Sequence, residues 1–450
     1  MDQSLRLRIF SKKECRMIHR AALQMLRETG MNVQDEETRS YLKDRGCRVS
    51  EDRYLLFSDD VVQTALSTVP SRVVIYDRNG QAAVDTGSTA PRFCPGLNCI
   101  DLLDHKTGKI RRFLLEDVVM AARLCDRLPH IHMAANLGNP ADVSFEDQAM
   151  AAVHALVENS VKPLPFIAHD ETEAQQIWTY LAETAGGWEH FSAKPFALDL
   201  TGPTSPFSLK QEACRRLRFA AKRKLPVVCY PALFPGITGP MTLAGSVAQS
   251  AAETLAGIVI HQLERPGAPV ITGSAVIPMD MRTANLAYGA PDYALVGLAA
   301  VDYFEEIGVP TWIGAGCSDA HIFDAQAISE AGVNMFAAAM SGTALVHNLG
   351  YLSSGKTGSL EMLVLCDELA GMVSRIGKGI AVTEETLAQE VIALHGRNGK
   401  YLTHRHTKKH VRTELWIPTL FQRFPRGRWR NEGAKTTTQM IHDKLEDLLN

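Results

Sequence analysis

No two of the nine cysteines are spaced as C-x-x-C, and their odd number fits no disulfide framework. That pattern argues for reduced thiols in a cytoplasm. Long apolar runs are also missing. No stretch approaches the ~20 uninterrupted apolar residues that cross a bilayer, and Met1–Phe10 lacks the apolar core of a secretory signal. Neither sign of charge is in excess, since 47 Lys and Arg face 50 Asp and Glu for a formal net charge of -3. Nothing in that balance calls for nucleic acid or an acidic membrane as a partner. G-x-S-x-G is absent, which removes the commonest sequence signal of a serine hydrolase. What is present is 46% hydrophobic residues in 450, enough for a large core.

Three zones differ in pattern. Residues 1–92 read as a helical subdomain with helices over 12–29, 36–45 and 59–67, then a small hairpin through the turn Asp77-Arg-Asn-Gly80. Residues 93–380 alternate short β-branched apolar segments with amphipathic ones of helix length. Candidate strands lie at 92–98, 131–137, 164–168, 196–201, 227–231, 270–275, 311–315 and 343–347. Candidate helices follow at 114–128, 145–159, 171–184, 209–224, 247–264, 293–307, 325–340 and 360–376. Eight βα units in series are the number that closes a (β/α)8 TIM barrel; a doubly wound open sheet is the alternative. Residues 381–450 form an extension with a helix near 384–394, a basic stretch over 401–412 and a final helix. Trp416 and Trp429 suggest that it packs on the barrel.

In a barrel, function sits at the carboxyl ends of the strands. The loops expected there are long, rich in Gly and Pro and poor in carboxylates, notably 230–242 after the fifth strand. Tyr230, Phe234, Trp312 and Tyr351 fall at or near strand ends, where aromatic faces hold cationic amines; ordinary core packing is the bland alternative. His404, His406 and His410 sit in a Lys/Arg-rich stretch and read as a solvated basic face rather than a metal site. Ser318, Asp319 and His321 are neighbours in sequence, but a triad is assembled in space, and Asp319 could cap a helix beginning near Ala320. Cys317 would need a lowered pKa to serve as a nucleophile.

Several longer motifs in order carry a resemblance. They are Gly239-Pro-Met-Thr-Leu-Ala-Gly245, Leu263-Glu-Arg-Pro-Gly-Ala-Pro-Val270, Met279-Asp-Met-Arg-Thr283 with Tyr288-Gly-Ala-Pro291, Ser318-Asp-Ala-His-Ile-Phe-Asp-Ala-Gln326, and Glu414-Leu-Trp-Ile-Pro418. From about Ile18 to its end the chain resembles the trimethylamine methyltransferase superfamily. The resemblance implies a TIM barrel that moves a methyl group to the Co(I) corrinoid (cobalamin) of a separate protein; the chain has no D-x-H-x-x-G cobalamin motif of its own. Archaeal trimethylamine enzymes of the family carry pyrrolysine at a position that falls near Gly316 or Cys317 here. With standard residues there, this chain is similar to the members that act on glycine betaine and related betaines such as carnitine, proline betaine and butyrobetaine.

On that resemblance His347, at the end of the eighth strand, is the expected catalytic residue. Tyr230, Phe234, Trp312, Tyr351 and Asn98 are expected around the substrate, with Arg282 and Lys356 as further candidates for its carboxylate. Gly316, Cys317, Ser318, Asp319 and Arg282 are expected to face the corrinoid. The expected partners are a quaternary amine, a cognate corrinoid protein and a second copy of the chain. Two other readings stay open: a uroporphyrinogen decarboxylase-type barrel, suggested by Gly239-Pro-Met-Thr242, and a non-catalytic binder of quaternary amines.

Overall fold

Seven of the eight expected barrel strands form, and each runs parallel to its neighbours. Around the sheet they are Arg92–Pro95, Leu345–Leu349, Thr311–Gly314, Val270–Val276, Val227–Val228, Ala197–Leu200 and Leu164–Phe166. The computed structural model describes residues 5–88, 90–397 and 399–450. The opening stretch read for a secretory signal therefore falls partly outside the described residues.

The eighth wall segment, 131–137, is not a regular strand, yet it closes the ring. His132 N donates to Phe93 O (2.8 Å) and Leu137 N to Gly96 O (3.0 Å) on one side, and Ala134 N to Pro163 O (2.9 Å) on the other. Two features bend it. Leu137 is in the left-handed region at φ 59°, and the Lys162 ammonium gathers the carbonyls of Cys125, Leu128 and Ile131 at 2.5, 2.8 and 2.6 Å. Closure decides for the barrel over the open sheet.

Side chains fill the barrel, as the fold requires. Cys94, Met133, Leu198, Ile271, Trp312 and Leu345 form one buried cluster with Val73, Ile75 and Val84 of the N-terminal hairpin Val74–Tyr76/Ala82–Asp85. Tyr76 N donates to Pro195 O and Arg78 N to Val161 O, just before two barrel strands, so the hairpin plugs the amino-terminal face. The opposite face stays open.

The helices follow the expected order. Glu171–Thr184 matches the reading residue for residue. Leu243–Glu264 begins four residues before the expected 247. That helix is long and apolar enough to cross a membrane, but 83% of its most apolar window is buried. A helix apolar all round needs cover on both sides. Strand Val270–Val276 lies inside it, and helices Lys12–Glu28 and Asp59–Leu66 lie outside. The first of these is fixed by a Ser11/Glu14 capping box.

In the tail, Leu420, Ile441 and Leu445 are buried, and the Glu368 carboxylate accepts from Thr419 N and Leu420 N at 2.9 and 3.1 Å. The helix expected over 384–394 breaks at Ala388 (φ 48°) into Glu384–Leu387 and Gln389–His395. The basic stretch contributes helix Arg405–Glu414. All nine cysteines are buried and unpaired.

Candidate active site

The open face leads into a cavity of about 240 Å³ at the carboxyl ends of the strands. Four tyrosines line it, Tyr230, Tyr288, Tyr293 and Tyr351, together with Asn98, Thr201, His347 and Asn348. No Asp, Glu, Lys or Arg among the described residues does.

Two glycines at strand ends make room for the rings. A Cβ on Gly96 would lie 1.7 Å from the Tyr351 ring, and one on Gly314 would lie 1.9 Å from Tyr293 Oη. Tyr351 Oη accepts from Leu97 N (2.7 Å) and donates to Asn98 Oδ1 (2.7 Å), which ties the first strand's loop to the eighth's. Tyr288 stands edge-on to Tyr293 with centroids 5.1 Å apart. Burial pushes all four phenols above their ordinary pKa, so each ring is neutral.

His347 does not end its strand, which continues to Leu349. The register shifts between Val346 and Leu349, and Asn348 is left-handed at φ 73°. Such a bulge re-aims side chains; here it lets two consecutive residues, His347 and Asn348, line the same cavity. His347 lies over Trp312 with centroids 4.8 Å apart, and its Nε2 is 3.3 Å from Tyr230 Oη. Its Nδ1 has no partner in the protein. Desolvation lowers its pKa to about 3, so the imidazole is neutral near pH 7.

Several expected site residues lie elsewhere. Trp312 is fully buried under His347 and supports it from the barrel core. Phe234 packs half-buried against the outer core, and its backbone N–H donates to the Thr238 hydroxyl at 2.8 Å in a tight turn. Gly316 N is held by Asn334 Oδ1 at 2.7 Å, and a Cβ there would lie 2.7 Å from the Leu349 side chain. Cys317 is buried, and desolvation raises its thiol well above the ordinary range, so it is no nucleophile. Ser318 donates to Glu330 (2.5 Å), while His321 faces Ser353 instead. No triad forms. None of Gly316, Cys317 and Ser318 reaches the mouth.

Asp319 caps no helix, because Asp324 takes that place for helix Ala325–Ser341. Its carboxylate instead accepts from Tyr288 N (2.9 Å) and Gly289 N (3.0 Å), fixing the loop that carries Tyr288. Arg282 is paired with Asp280 and its side chain is 88% exposed. In the tail, His410 Nε2 meets Glu385 at 3.2 Å, and the described residues hold no group of three or more metal-ligating side chains.

Tyr288 and Tyr293 escaped the sequence reading. Tyr288 lies inside the motif Tyr288-Gly-Ala-Pro291, and Tyr293 opens the helix expected over 293–307. The available signal was position, because the first turn of each barrel helix lies at the carboxyl-end face.

Beside the cavity, on the far side of the Tyr288 loop, runs a second opening of about 760 Å³ with Asp101, Asp280, Asp319, His321, Glu330 and Lys356 along it. Ala287 and Gly289 line that groove, and Tyr288 between them lines the cavity.

A closed barrel with a buried, uncharged, tyrosine-lined cavity at its carboxyl-end face is a small-molecule enzyme scaffold. A family model described as trimethylamine methyltransferase matches residues 2–450, and the chain belongs to that family. A trimethylamine methyltransferase of Methanosarcina barkeri is 29% identical over 452 residues, covering 98% of this chain and 90% of that one. One from Desulfitobacterium hafniense is 27% identical, covering 98% and 89%. A glycine betaine methyltransferase of D. hafniense is 28% identical over 443 residues, covering 98% and 92%. Among solved structures, the monomethylamine methyltransferase of M. barkeri superposes with a TM-score of 0.56 at 10% identity, covering 98% of this chain and 89% of that one, a likeness of fold.

Proposed function

We propose that this chain takes a methyl group from a quaternary amine of the betaine class, with glycine betaine as its smallest member, and passes it to the Co(I) corrinoid of a partner protein. The observation that carries the reading is the cavity itself, four neutral tyrosine rings with no charged side chain in the lining. Each aromatic face is worth about 0.5–2 kcal/mol to a cation. A carboxylate in their place would hold the substrate cation more tightly than the transition state, where the positive charge on nitrogen is being lost. The departing tertiary amine is neutral and needs no proton. A histidine held neutral, with a pKa of about 3, suits orientation rather than proton transfer.

The betaine carboxylate finds hydrogen-bonding groups in His347, Asn348 and Asn98, and His347 Nδ1 is unused by the protein. Gly316 and Cys317 are packed shut, so a longer residue at that place would not fit without rearrangement. That favours quaternary over tertiary amines on the family's own division.

The corrinoid, once presented, supplies the reduced cobalt that accepts the methyl group. The mouth suits a flat ring delivered by another protein. The 760 Å³ groove offers carboxylates and a lysine to polar side arms. Around it Ile237, Met241, Met281 and Ile322 expose apolar side chains at the tips of three loops. Within this chain, the tyrosines hold the ammonium group, His347 orients it, and Tyr288 shields it from the groove.

The test mixes the purified chain, its corrinoid partner reduced to Co(I), and glycine betaine, dimethylglycine or trimethylamine. The expected result is loss of the Co(I) absorbance with formation of dimethylglycine from glycine betaine, and slower reaction of the other two. Faster reaction of trimethylamine, or demethylation without any corrinoid, overturns the proposal.

A further inference from the structure

From Ser374 to Thr419 not one described residue is buried. Ordering a chain costs conformational entropy, and this stretch buries little within the molecule to offset it. It nevertheless forms helices Glu384–Leu387, Gln389–His395 and Arg405–Glu414. It also turns large apolar side chains outward. Ile380, Val382, Leu394, Leu402, Leu415 and Ile417 are each at least 64% exposed. Single apolar residues on a surface need no account, but a run of this density marks an interaction face.

The stretch lies away from the mouth of the barrel. Helix Leu360–Gly377 follows the last barrel strand and runs back from the carboxyl-end face to the amino-end face. Near its end Arg375 donates to Gly379 O (2.9 Å) and to Glu414 O (2.7 Å), so the stretch leaves from the amino-end side and returns to it. A corrinoid protein at the mouth therefore leaves this face uncovered.

Its charges are sorted by sign. The first two helices carry Glu384, Glu385 and Glu390, whereas from Arg397 to Lys435 eleven Lys and Arg stand against two acids. A cleft of about 800 Å³ has Glu384 and Glu390 on one wall and Arg405 and Lys409 on the other. Glu385 pairs with Lys409 and with His410. Among the described residues Glu384, Glu390, Arg405, Lys408 and Arg412 are exposed and make no ion pair. A face with one acidic and one basic wall is complementary to itself turned about a two-fold axis. Glutamates among its apolar residues suit neither an anionic membrane nor nucleic acid.

We propose that residues 380–417 are the face on which two copies of this chain pair. The acidic helices of each copy lie against helix Arg405–Glu414 of the other, with the exposed apolar side chains between them. A stable interface uses about 20–30 residues from each side, which this stretch supplies. Interfaces between identical chains are also the more apolar kind. Pairing there leaves both barrel mouths open, and it does not depend on which amine the cavity takes.

The test is the mass of the full chain in solution, by light scattering and sedimentation. The expected result is an even multiple of 49.4 kDa at micromolar concentration. Leu402→Asp, at an exposed position, should raise the dissociation constant about 30-fold, the scale of one interface hot spot, with an unchanged circular-dichroism spectrum. Reversing the acids (Glu384→Lys with Glu390→Lys) or the bases (Arg405→Glu, Lys408→Glu and Arg412→Glu) should each give monomers. An equal mixture of the two reversed proteins should form a dimer again. A monomeric unaltered chain, an oligomer indifferent to all these variants, or reversed proteins that stay apart on mixing overturns the proposal. Phosphatidylglycerol vesicles supply the other arm: a chain that stays monomeric and binds them, but not after Leu402→Asp, has a membrane face there instead.

Discussion

The two openings on the barrel face differ sharply although a single loop divides them. The inner cavity has four tyrosines and no charged group, whereas the outer groove has Asp101, Asp280, Asp319, Glu330 and Lys356. Carboxylates are thus close to the cavity but kept out of it. Asp319 shows how. Its charge is spent on the backbone N–H groups of Tyr288 and Gly289, so the same loop that presents a ring inward ties down an acid outward. The arrangement puts neutral aromatic faces inside and charged groups along the outer opening.

The largest expected effect comes from breaking the inner side at His347. His347→Ala should slow methyl transfer about 10- to 150-fold, the loss of a hydrogen bond of ~1.5–3 kcal/mol to a charged group if it acts in the transition state. Turnover and thermal melts on one preparation check it. An unchanged rate per folded molecule would remove His347 from the site. Because its pKa is held near 3, the rate profile of the unaltered chain should show no histidine inflection between pH 5 and 9 that disappears in the variant.

Removing one ring is the next step down. Tyr288→Leu should weaken betaine binding by about 2- to 30-fold, the value of one aromatic face. Asp319→Asn should produce part of that loss, because it loosens the loop without removing the ring. A Tyr288→Leu protein that binds betaine normally would show that the inner cavity does not recognise its ligand by aromatic faces.

A third comparison sets the buried histidines against acid. His132, His261 and His347 all have pKa values lowered by desolvation to about 3. The unfolded chain protonates them near 6.5 and the folded chain does not. Their contribution is therefore intact above pH 6.5 and is lost as pH falls from there toward 3, at up to about 1.4 kcal/mol per pH unit for each. His261→Leu should flatten the decline of melting temperature over that window by roughly a third of the histidine contribution. Parallel curves for the two proteins would refute the assignment.

The smallest effect belongs to the outer side. Arg282 is an exposed residue paired with Asp280, and Arg282→Ala should leave betaine affinity unchanged and shift only the rate of association with a corrinoid partner, more at low salt than at high. Stopped-flow mixing at two ionic strengths reads it. A changed betaine affinity would mean that the groove and the cavity are not separate.

Much of this architecture was legible because it is written locally. Helix Glu171–Thr184 follows from its apolar spacing, and the turn Asp77-Arg-Asn-Gly80 follows from its residue types. The cavity was only partly legible. Counting βα units puts Tyr230, Tyr351, Asn98 and His347 near strand ends, but Trp312, which passes the same count, lies in the barrel core and Phe234 packs half-buried against the outer one. An aromatic residue near a strand end can face the barrel axis, the helices or the mouth, and strand tilt decides which.

What the sequence determined by itself is the order of eight βα units, the hairpin before them and the scarcity of charge in the loops that follow the strands, because periodicity and composition act over a few residues. Tertiary structure decided the rest. Closure through the irregular segment 131–137 depends on Lys162 reaching three carbonyls, and the bulge after Val346 that aims His347 and Asn348 together depends on pairing with the first strand. The tyrosine cavity joins residues from Asn98 to Tyr351, and those meet only where the last strand returns to the first. No local pattern encodes that meeting, since it is the register of the closed sheet that sets which side chains share a space.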